Sequence, residues 1–322
     1  MKRLWNSIAF TMIFFFLLPL EAVAAEFLIP VGKVVGLQLS DDTVTVAAFD
    51  DSLGEQVKKT GLRIGDQIVN IDGQTVTCPE DVRSALSKCG DTVSLTVRRD
   101  GKTHSLQITP LAEEGSTRLG VYLRQGIAGV GTVTWYDPES GKFGTLGHGV
   151  SDPKGNVLHM TKGEAYDAEV VSVKKGKAGE PGQLKGRADP SKACGTLLRN
   201  TPQGVFGITK EGWAGEALPV ASWQEVHTGS AVIRSNVQGN QVQEYSVEIL
   251  KIYPESYSDC RNFLLRITDP ALVSATGGIV QGMSGSPIIQ DGKLVGAVTH
   301  VLVNDPTRGY GIFIENMLDA AS

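Results

Sequence analysis

Short apolar runs broken by Gly, Asn, Asp and Pro dominate the chain from residue 129 onward. The runs cover residues 129–135, 168–173, 204–208, 242–252, 263–267, 294–303 and 310–314. This length and spacing are typical of strands, and long helical periodicity is missing except in the last residues from Glu315. Glycine is enriched, since the chain contains 38 glycines among its 322 residues, well above the usual share of about 7%. Because tight turns between strands need glycine, the pattern predicts a barrel or a pair of barrels.

Composition limits the class of protein. The 322 residues are 41% hydrophobic and 20% charged, which is ordinary for a soluble globular chain of two folded units. The formal net charge is −5, and no Lys/Arg cluster is interleaved with aromatic residues as a phosphate-tracking groove requires. We therefore expect no nucleic-acid partner.

Residues 1–25 have the composition of an export signal. Lys2 and Arg3 precede an apolar stretch over residues 8–20, and Ala22-Val23-Ala24 offers the small residues that signal peptidase recognises. The stretch is shorter than the roughly 20 apolar residues of a comfortable membrane span. A removed signal peptide is the first interpretation and an uncleaved membrane anchor the second. Either one places the rest of the chain outside the cytoplasm.

The segment from residue 27 to about residue 110 reads as one compact domain. Residues 61–73 hold apolar positions between glycine turns, and Asp72-Gly73 is a strong hairpin signal. A short amphipathic helix is predicted over 79–87, and a hairpin around Asp100-Gly101 follows. This order resembles a PDZ domain. The polar stretch 113–116 then marks a boundary, so we predict a PDZ domain over 26–112 and a second domain over 113–322.

The PDZ resemblance implies a peptide-binding site. By that resemblance a peptide would add as a strand beside Val34, Val35, Gly36 and Leu37, with backbone amides near Gly36 facing a terminal carboxylate. The segment 29–32 departs from the usual carboxylate-binding loop. The domain could therefore bind an internal segment or regulate its neighbour.

The segment Gly282-Met283-Ser284-Gly285-Ser286-Pro287 has the composition of a nucleophile loop. Glycines beside a serine let the backbone approach a substrate carbonyl and permit φ angles that turn amide N–H groups inward. A plain Gly/Ser loop between strands is the alternative. The strand and turn that follow favour the nucleophile, Ser284.

A serine hydroxyl needs a base to take its proton. His148 lies between glycines in Leu146-Gly147-His148-Gly149, an arrangement that presents a ring tightly. His300 is the reserve candidate, because it follows the nucleophile in the next strand. Structural roles are expected for the other three histidines, His104, His159 and His227.

A carboxylate should orient the base. Asp269 closes an apolar strand fifteen residues before Ser284, Asp152 lies four residues after His148, and Asp137 is a more distant candidate. The residues alone leave this choice open.

Three motifs together resemble the SpoIVB family of serine peptidases. They are Leu-Gly-His-Gly at 146–149, Thr-Asp-Pro at 268–270 and Gly-Met-Ser-Gly-Ser-Pro at 282–287, behind a signal and a PDZ domain. The resemblance implies a catalytic triad of His148, Asp269 and Ser284, and so favours Asp269 over Asp152. It implies an endopeptidase that works through an acyl-enzyme, with no metal or organic cofactor.

The order His, Asp, Ser is also that of chymotrypsin-like double β-barrels, so the expected fold is mostly β with a PDZ domain before such a peptidase domain. By this analogy the backbone N–H groups of Gly282 and Ser284 form the oxyanion hole. Met283 stands where those enzymes carry an acid that pairs with a newly cut N-terminus. Activation by that salt bridge is therefore not expected.

The family resemblance also implies a biological role. Such proteins are exported to the space between the forespore membranes, cleave themselves near the N-terminus, and cut a regulator of the membrane protease that activates the late mother-cell sigma factor. The expected partners are this regulator, the chain itself and a peptide ligand of the PDZ domain.

Two other functions stay open as alternatives. One is a catalytically inactive PDZ adaptor, against which the presence of all three triad residues argues. The other is a general exported stress protease, which would normally carry its PDZ domain after the peptidase domain. The four cysteines, Cys78, Cys89, Cys194 and Cys260, permit three disulfide pairings or isolated thiols.

Overall fold

The structure is a computed structural model that describes residues 26–51, 54–113, 116–152, 155–254 and 259–322. The predicted signal or anchor over residues 1–25 lies outside the described residues. No helix in the described ranges has the length and apolar composition needed to cross a bilayer.

Strands make up most of the described chain, as the sequence predicts. The strands are β1 (Phe27–Pro30), β2 (Val34–Phe49), β3 (Gln67–Ile71), β4 (Gln74–Thr75), β5 (Val93–Arg99), β6 (Lys102–Ile108), β7 (Leu111–Glu113), β8 (Ser116–Arg118), β9 (Val121–Tyr136), β10 (Lys142–Thr145), β11 (Lys162–Lys174), β12 (Gln183–Thr201), β13 (Gly204–Ile208), β14 (Leu218–Pro219), β15 (Gly229–Gln238), β16 (Gln241–Ile252), β17 (Phe263–Ile267), β18 (Pro287–Gln290), β19 (Lys293–Leu302) and β20 (Asp305–Phe313). The helices are α1 (Gly54–Lys58), α2 (Pro79–Leu86), α3 (Pro270–Thr276) and α4 (Ile314–Ala321), with a 3₁₀ turn at Trp223–Glu225.

Six strands close into a first barrel. The ring runs β2–β9–β10–β13–β12–β11 and returns to β2, which pairs with β9 on one side and β11 on the other. Val35, Leu37 and Leu39 alternate along β2 and are buried against Val133 and Phe143, which is the period-2 pattern of a strand with one face inward.

Six further strands close the second barrel in the order β15–β16–β17–β20–β19–β18. Its core contains Ile233, Val247, Ile249, Phe263 and Val298. Apolar side chains of both barrels meet where Trp135 and Phe206 of the first pack with Ala297 and Ile312 of the second. The predicted double β-barrel is confirmed.

The PDZ domain contains the predicted local elements. Asp72 and Gly73 have φ values of 49° and 83° and form the turn between β3 and β4. The helix predicted over 79–87 is α2, and β5 and β6 form the predicted hairpin. Val44, Ile68, Leu95 and Leu86 belong to a core of its own.

The PDZ domain is inserted into the first barrel, so it begins later in the structure than the predicted start at residue 26. β1 pairs with the end of β9, and β2 pairs with β9 and β11 over 34–39 before it enters the PDZ domain at Val44. Residues 27–39 are therefore barrel strands. Their partners lie 88–107 residues away in β9 and 124–132 residues away in β11, beyond what a local pattern can indicate.

Candidate active site

The nucleophile loop connects α3 to β18 and requires glycine at two positions. Gly282 and Gly285 have φ values of 98° and 94°, a region that side chains with a Cβ rarely adopt. A Cβ on Gly285 would lie 2.1 Å from the carbonyl oxygen of Thr132. The Gly285 N–H instead donates to the Val298 carbonyl at 2.7 Å. The loop is thus held tightly against both barrels.

The amides predicted to form the oxyanion hole are available. The carbonyl of Gly282 accepts from Thr132 Oγ1 at 2.7 Å, and the carbonyl of Ser284 accepts from the Thr132 N–H at 3.0 Å. In the described part of the chain, neither the Gly282 N–H nor the Ser284 N–H has an acceptor. The peptide planes that carry these two N–H groups are held from their carbonyl side: the Gln281 carbonyl accepts from the Leu184 N–H at 2.8 Å and the Met283 carbonyl from the Ser286 N–H at 2.9 Å. Fixed peptide planes with unpaired N–H groups suit a developing oxyanion.

Thr132 contacts both loops of the candidate site and was not singled out from the sequence. It is fully buried on β9, and its carbonyl also accepts from the Leu146 N–H at 3.2 Å. One residue therefore ties the nucleophile loop to the loop that carries His148. No motif surrounds Thr132, so only its three-dimensional contacts reveal this role.

The backbone before His148 is in an unusual conformation. Leu146 and Gly147 have φ values of 68° and 67°, and such left-handed residues cluster at functional sites. His148 Nδ1 lies 2.9 Å from the Gly149 carbonyl oxygen. Because a carbonyl only accepts, Nδ1 carries the proton and Nε2 is the free base. Burial lowers the pKa of His148, so the ring is neutral at neutral pH.

His148 and Ser284 line one cavity between the two barrels. Its volume is about 610 Å³. Most of the lining side chains from the first barrel are apolar, including Leu37, Leu39 and Val130, whereas Asp259 and His300 come from the second barrel. The structure therefore brings together the predicted nucleophile and the predicted base.

The Ser284 hydroxyl does not point at His148 in this structure. Its Oγ donates to the carbonyl of Thr299 at 2.8 Å. A hydrogen bond from this hydroxyl to His148 would require the hydroxyl to rotate, and in many enzymes such hydrogen bonds form only with substrate bound.

Asp269 lies away from this cavity. It is the N-cap of α3, where its side chain accepts from the Leu272 N–H at 3.0 Å, and it is not among the residues that line the cavity. Cys260, before the start of β17, lines the cavity, and Asp269 follows the opposite end of that strand. A carboxylate must contact an imidazole to orient it, so this placement does not support the orienting role.

The competing acids also have local roles. Asp152 accepts from the Asn156 N–H at 2.9 Å, and Asp137 accepts from the Glu139 N–H at 2.9 Å. His300, the reserve base, has its ring centroid 5.3 Å from that of His148. Outside the cavity, His227 pairs with Asp291 at the exposed surface.

The peptide-binding site predicted at Val34, Val35, Gly36 and Leu37 requires correction. These residues pair with β9 on one side, and Val35 to Leu37 also pair with β11 on the other. A strand with both edges paired cannot accept a further strand. The resemblance of the sequence to a PDZ domain placed this segment in that domain, whereas the structure places it in the first barrel.

All four cysteines are free thiols. Burial raises the pKa of Cys194 and of Cys260 to about 11, so both stay protonated. Cys260 donates to the Pro202 carbonyl at 3.0 Å.

Parts of the chain are similar to known proteins. Two putative zinc metalloproteases, from Brucella suis and Agrobacterium fabrum, are 35% identical over 80 residues and 36% identical over 84 residues. These matches cover 24% and 26% of this chain, and the chain spans only about a fifth of the length of either relative, 21% in each case.

Solved structures give two further likenesses. The PDZ domain of an SdrC-like protein from Listeria monocytogenes is 27% identical, with 26% of this chain and 87% of that chain covered and a TM-score of 0.23. The active form of the Rv3671c protease from M. tuberculosis is 16% identical, with 62% and 73% covered and a TM-score of 0.36.

Two family matches divide the sequence. Residues 35–109 match the PDZ domain family. Residues 115–318 match the family described as SpoIVB peptidase S55. Because that second match covers more than half of the chain, the protein belongs to the SpoIVB peptidase S55 family and is a serine peptidase.

Proposed function

We propose that the protein is a self-cleaving endopeptidase of sporulation signalling, with Ser284 as nucleophile and His148 as base. The catalytic part rests on one observation, that Ser284 and His148 line the same cavity. Ser284 lies there beside two unpaired amide N–H groups, and the His148 ring that lines the cavity has a free Nε2. The family membership supports the sporulation role.

The reaction follows from these contacts. Ser284 Oγ leaves the Thr299 carbonyl, gives its proton to His148 Nε2 and attacks the peptide carbonyl. The N–H groups of Gly282 and Ser284 receive the oxyanion. His148 then protonates the leaving amine, and water attacks the acyl-enzyme with His148 again as base. The lowered pKa of His148 keeps the base unprotonated at neutral pH.

The proposed setting is the space between the forespore membranes, where the chain acts after export. Its proposed substrates are its own N-terminal region and a regulator of the membrane protease that activates the late mother-cell sigma factor. This setting rests on the family and on the signal-like sequence of residues 1–25.

For the peptide ligand we propose a different site in the PDZ domain from the one predicted by sequence. A cavity of about 480 Å³ lies between α2 and residues 117–123, with Val82, Leu86 and Val121 in its lining. Over residues 121–125, β9 pairs only with β2 among the described strands. We place the peptide ligand here, added as a strand to the free edge of β9.

Panning of a random peptide library against the full chain tests this placement. Arg83 lines this cavity, the PDZ groove, and its side chain is exposed. Arg83→Glu is therefore expected to weaken the binding of the selected peptides. Arg187→Glu, on the surface of the first barrel, is the matched control. Peptides that bind both variants equally would contradict the placement.

Labelling with a fluorophosphonate tests the catalytic part. The wild-type chain is expected to be labelled on Ser284, and Ser284→Ala is expected to abolish the label. Ser286→Ala is the matched control, because Ser286 lies in the same loop but is buried against Ser235. A wild-type chain that takes no label would favour the inactive adaptor.

Self-cleavage is tested by mixing the two forms. Wild-type protein added to full-length Ser284→Ala chain is expected to shorten it, and sequencing of the new N-termini locates the cuts. An uncut Ser284→Ala chain in the presence of labelled, active wild type would remove self-cleavage from the proposal. For the sporulation role, a reporter of the late sigma factor in a sporulating host is expected to stay silent with Ser284→Ala alone.

A further inference from the structure

His300 faces the active-site cavity because β19 is irregular at this point. The pairing of β19 with β20 shifts register between Val298 and His300, so Thr299 lies in a bulge. Bulges change the direction of neighbouring groups and are common beside active sites. Here the Thr299 carbonyl accepts from Ser284 and the His300 ring lines the cavity.

The rings of His300 and His148 are in contact. Their centroids are 5.3 Å apart and their planes are tilted by 39°. Of the described side chains that line the cavity, His300 is the one whose ring meets that of His148, whereas Asp269 is engaged at its helix cap.

One nitrogen of His300 has no partner. Nδ1 is buried and makes no hydrogen bond within the described part of the chain. Buried polar atoms are nearly always paired, and each exception calls for an explanation. The unpaired Nδ1 of His300 is explained if this nitrogen accepts a hydrogen bond only during the reaction.

The surroundings keep His300 neutral. Burial lowers its pKa to about 4, with smaller contributions in the same direction from the positive charges that His148 and Arg261 can carry. Arg261 stacks on the Tyr310 ring, and Asp259 lines the same cavity. A neutral imidazole beside His148 can accept a hydrogen bond without itself taking the proton.

We propose that His300 is the positioning residue for His148, and that its unpaired Nδ1 accepts the Nδ1–H of His148 when that ring becomes protonated. This inference rests on the proposed peptidase mechanism. The Ser284 proton moves to His148 Nε2, and the Nδ1–H of His148 turns from the Gly149 carbonyl to His300. His300 keeps its own proton on Nε2 throughout, so no proton leaves the pair until His148 protonates the leaving amine.

Three variants of the full chain test this role through the second-order rate constant of fluorophosphonate labelling. His300→Phe keeps a ring of similar packing but removes the acceptor, and it is expected to slow labelling by about 100-fold or more. His300→Gln restores an acceptor and is expected to recover part of the rate. Asp269→Asn is expected to label within about threefold of wild type.

The pH profile separates positioning from packing. An acceptor for the His148 N–H stabilises the protonated ring, so its loss in His300→Phe is expected to move the acid limb of labelling to lower pH. Thermal unfolding checks that each variant is folded.

Two results would overturn the inference while leaving the mechanism intact. One is His300→Phe labelling within threefold of wild type; the other is a large loss in Asp269→Asn without one in His300→Phe. If His300→Phe does not fold, a folded His300→Gln that takes no label would overturn it equally, because this variant keeps the acceptor. An unlabelled wild-type chain would overturn the proposed function and this inference together.

Discussion

The two barrels contribute to the site in different ways. The second barrel is one continuous segment from Gly229 to Phe313 and supplies Ser284 and His300. The first barrel is interrupted by the PDZ domain and supplies His148, which is held through Thr132. The reactive groups therefore meet only when two independently closed barrels pack together. The site therefore depends as much on the interface between the barrels as on its sequence motifs.

The PDZ domain and the active-site cavity share a strand. Residues 121–123 of β9 line the PDZ groove, Ile127, Gly129 and Val130 line the cavity, and Thr132 holds the nucleophile loop. The second barrel has no comparable link to the PDZ domain in the described chain. A change at β9 should therefore act on the site through the first barrel.

Removing either reactive group should have the largest effect. Ser284→Ala removes the contribution of the second barrel and His148→Ala that of the first. Each is expected to lower kcat by a factor on the order of 10⁴ to 10⁶, because nucleophile and base act as a unit. His227→Ala, at the exposed surface, serves as control. Peptide hydrolysis that survives His148→Ala would break the assignment of the base to the first barrel.

Loss of the Thr132 hydroxyl should have the next largest effect. Thr132→Val leaves the buried Gly282 carbonyl without its donor, which costs about 1–3 kcal/mol and loosens the oxyanion loop. We expect a 10- to 100-fold lower labelling rate. Thr134→Val is a matched control on the same strand, since Thr134 Oγ1 is buried and has no hydrogen-bond partner among the described residues. Equal rates for the two variants would show that the barrels do not communicate through Thr132.

The stability of the second barrel should depend on pH through His300. Its folded pKa of about 4 lies below the ordinary 6.5, so the unfolded chain binds more protons between these values. Stability is therefore full above about pH 6.5 and is lost as the pH falls toward 4. We expect a decrease of about 2 kcal/mol, discounted for the part of the ring that solvent reaches.

Denaturant unfolding of wild type and His300→Phe at several pH values measures this contribution. The variant should show a flatter dependence. Parallel curves for the two proteins would contradict the buried, neutral state of His300.

Asp269 should show the smallest effect. Asp269→Ala removes an N-cap and is expected to lower the free energy of unfolding by about 1 kcal/mol, with labelling nearly unchanged. Asp152→Ala is the matched variant, because Asp152 is the competing acid and its side chain accepts from a backbone N–H in a surface turn of the first barrel. Inactivity of a folded Asp269→Ala protein would restore the triad that the motifs imply.

The sequence predicted what local patterns determine. The turn at Asp72-Gly73, the helix beginning at Pro79 and the glycines around Ser284 follow from backbone chemistry within a few residues. Closed barrels followed from short strands and frequent glycine, as the structure confirms.

Partners distant in sequence could not be predicted in this way. Val34 to Leu37 read as a strand, but their partners lie 92–98 residues later in β9 and 128–132 residues later in β11. Asp269 sits in a motif that fits both a triad acid and a helix N-cap, because an Asp before Pro at the first turn is typical of helix starts. The contact of His300 with His148 spans 152 residues and two barrels, so no spacing indicates it.

A crystal structure of the protein with a phosphonyl group on Ser284 would test the roles of His148 and His300 together. We expect the phosphonyl oxygen to accept from the N–H groups of Gly282 and Ser284, with His148 beside the leaving position. We also expect the Nδ1 of His300 within hydrogen-bond distance of His148, while Asp269 still caps α3. A structure with the carboxylate of Asp269 against His148 and His300 turned away would contradict it.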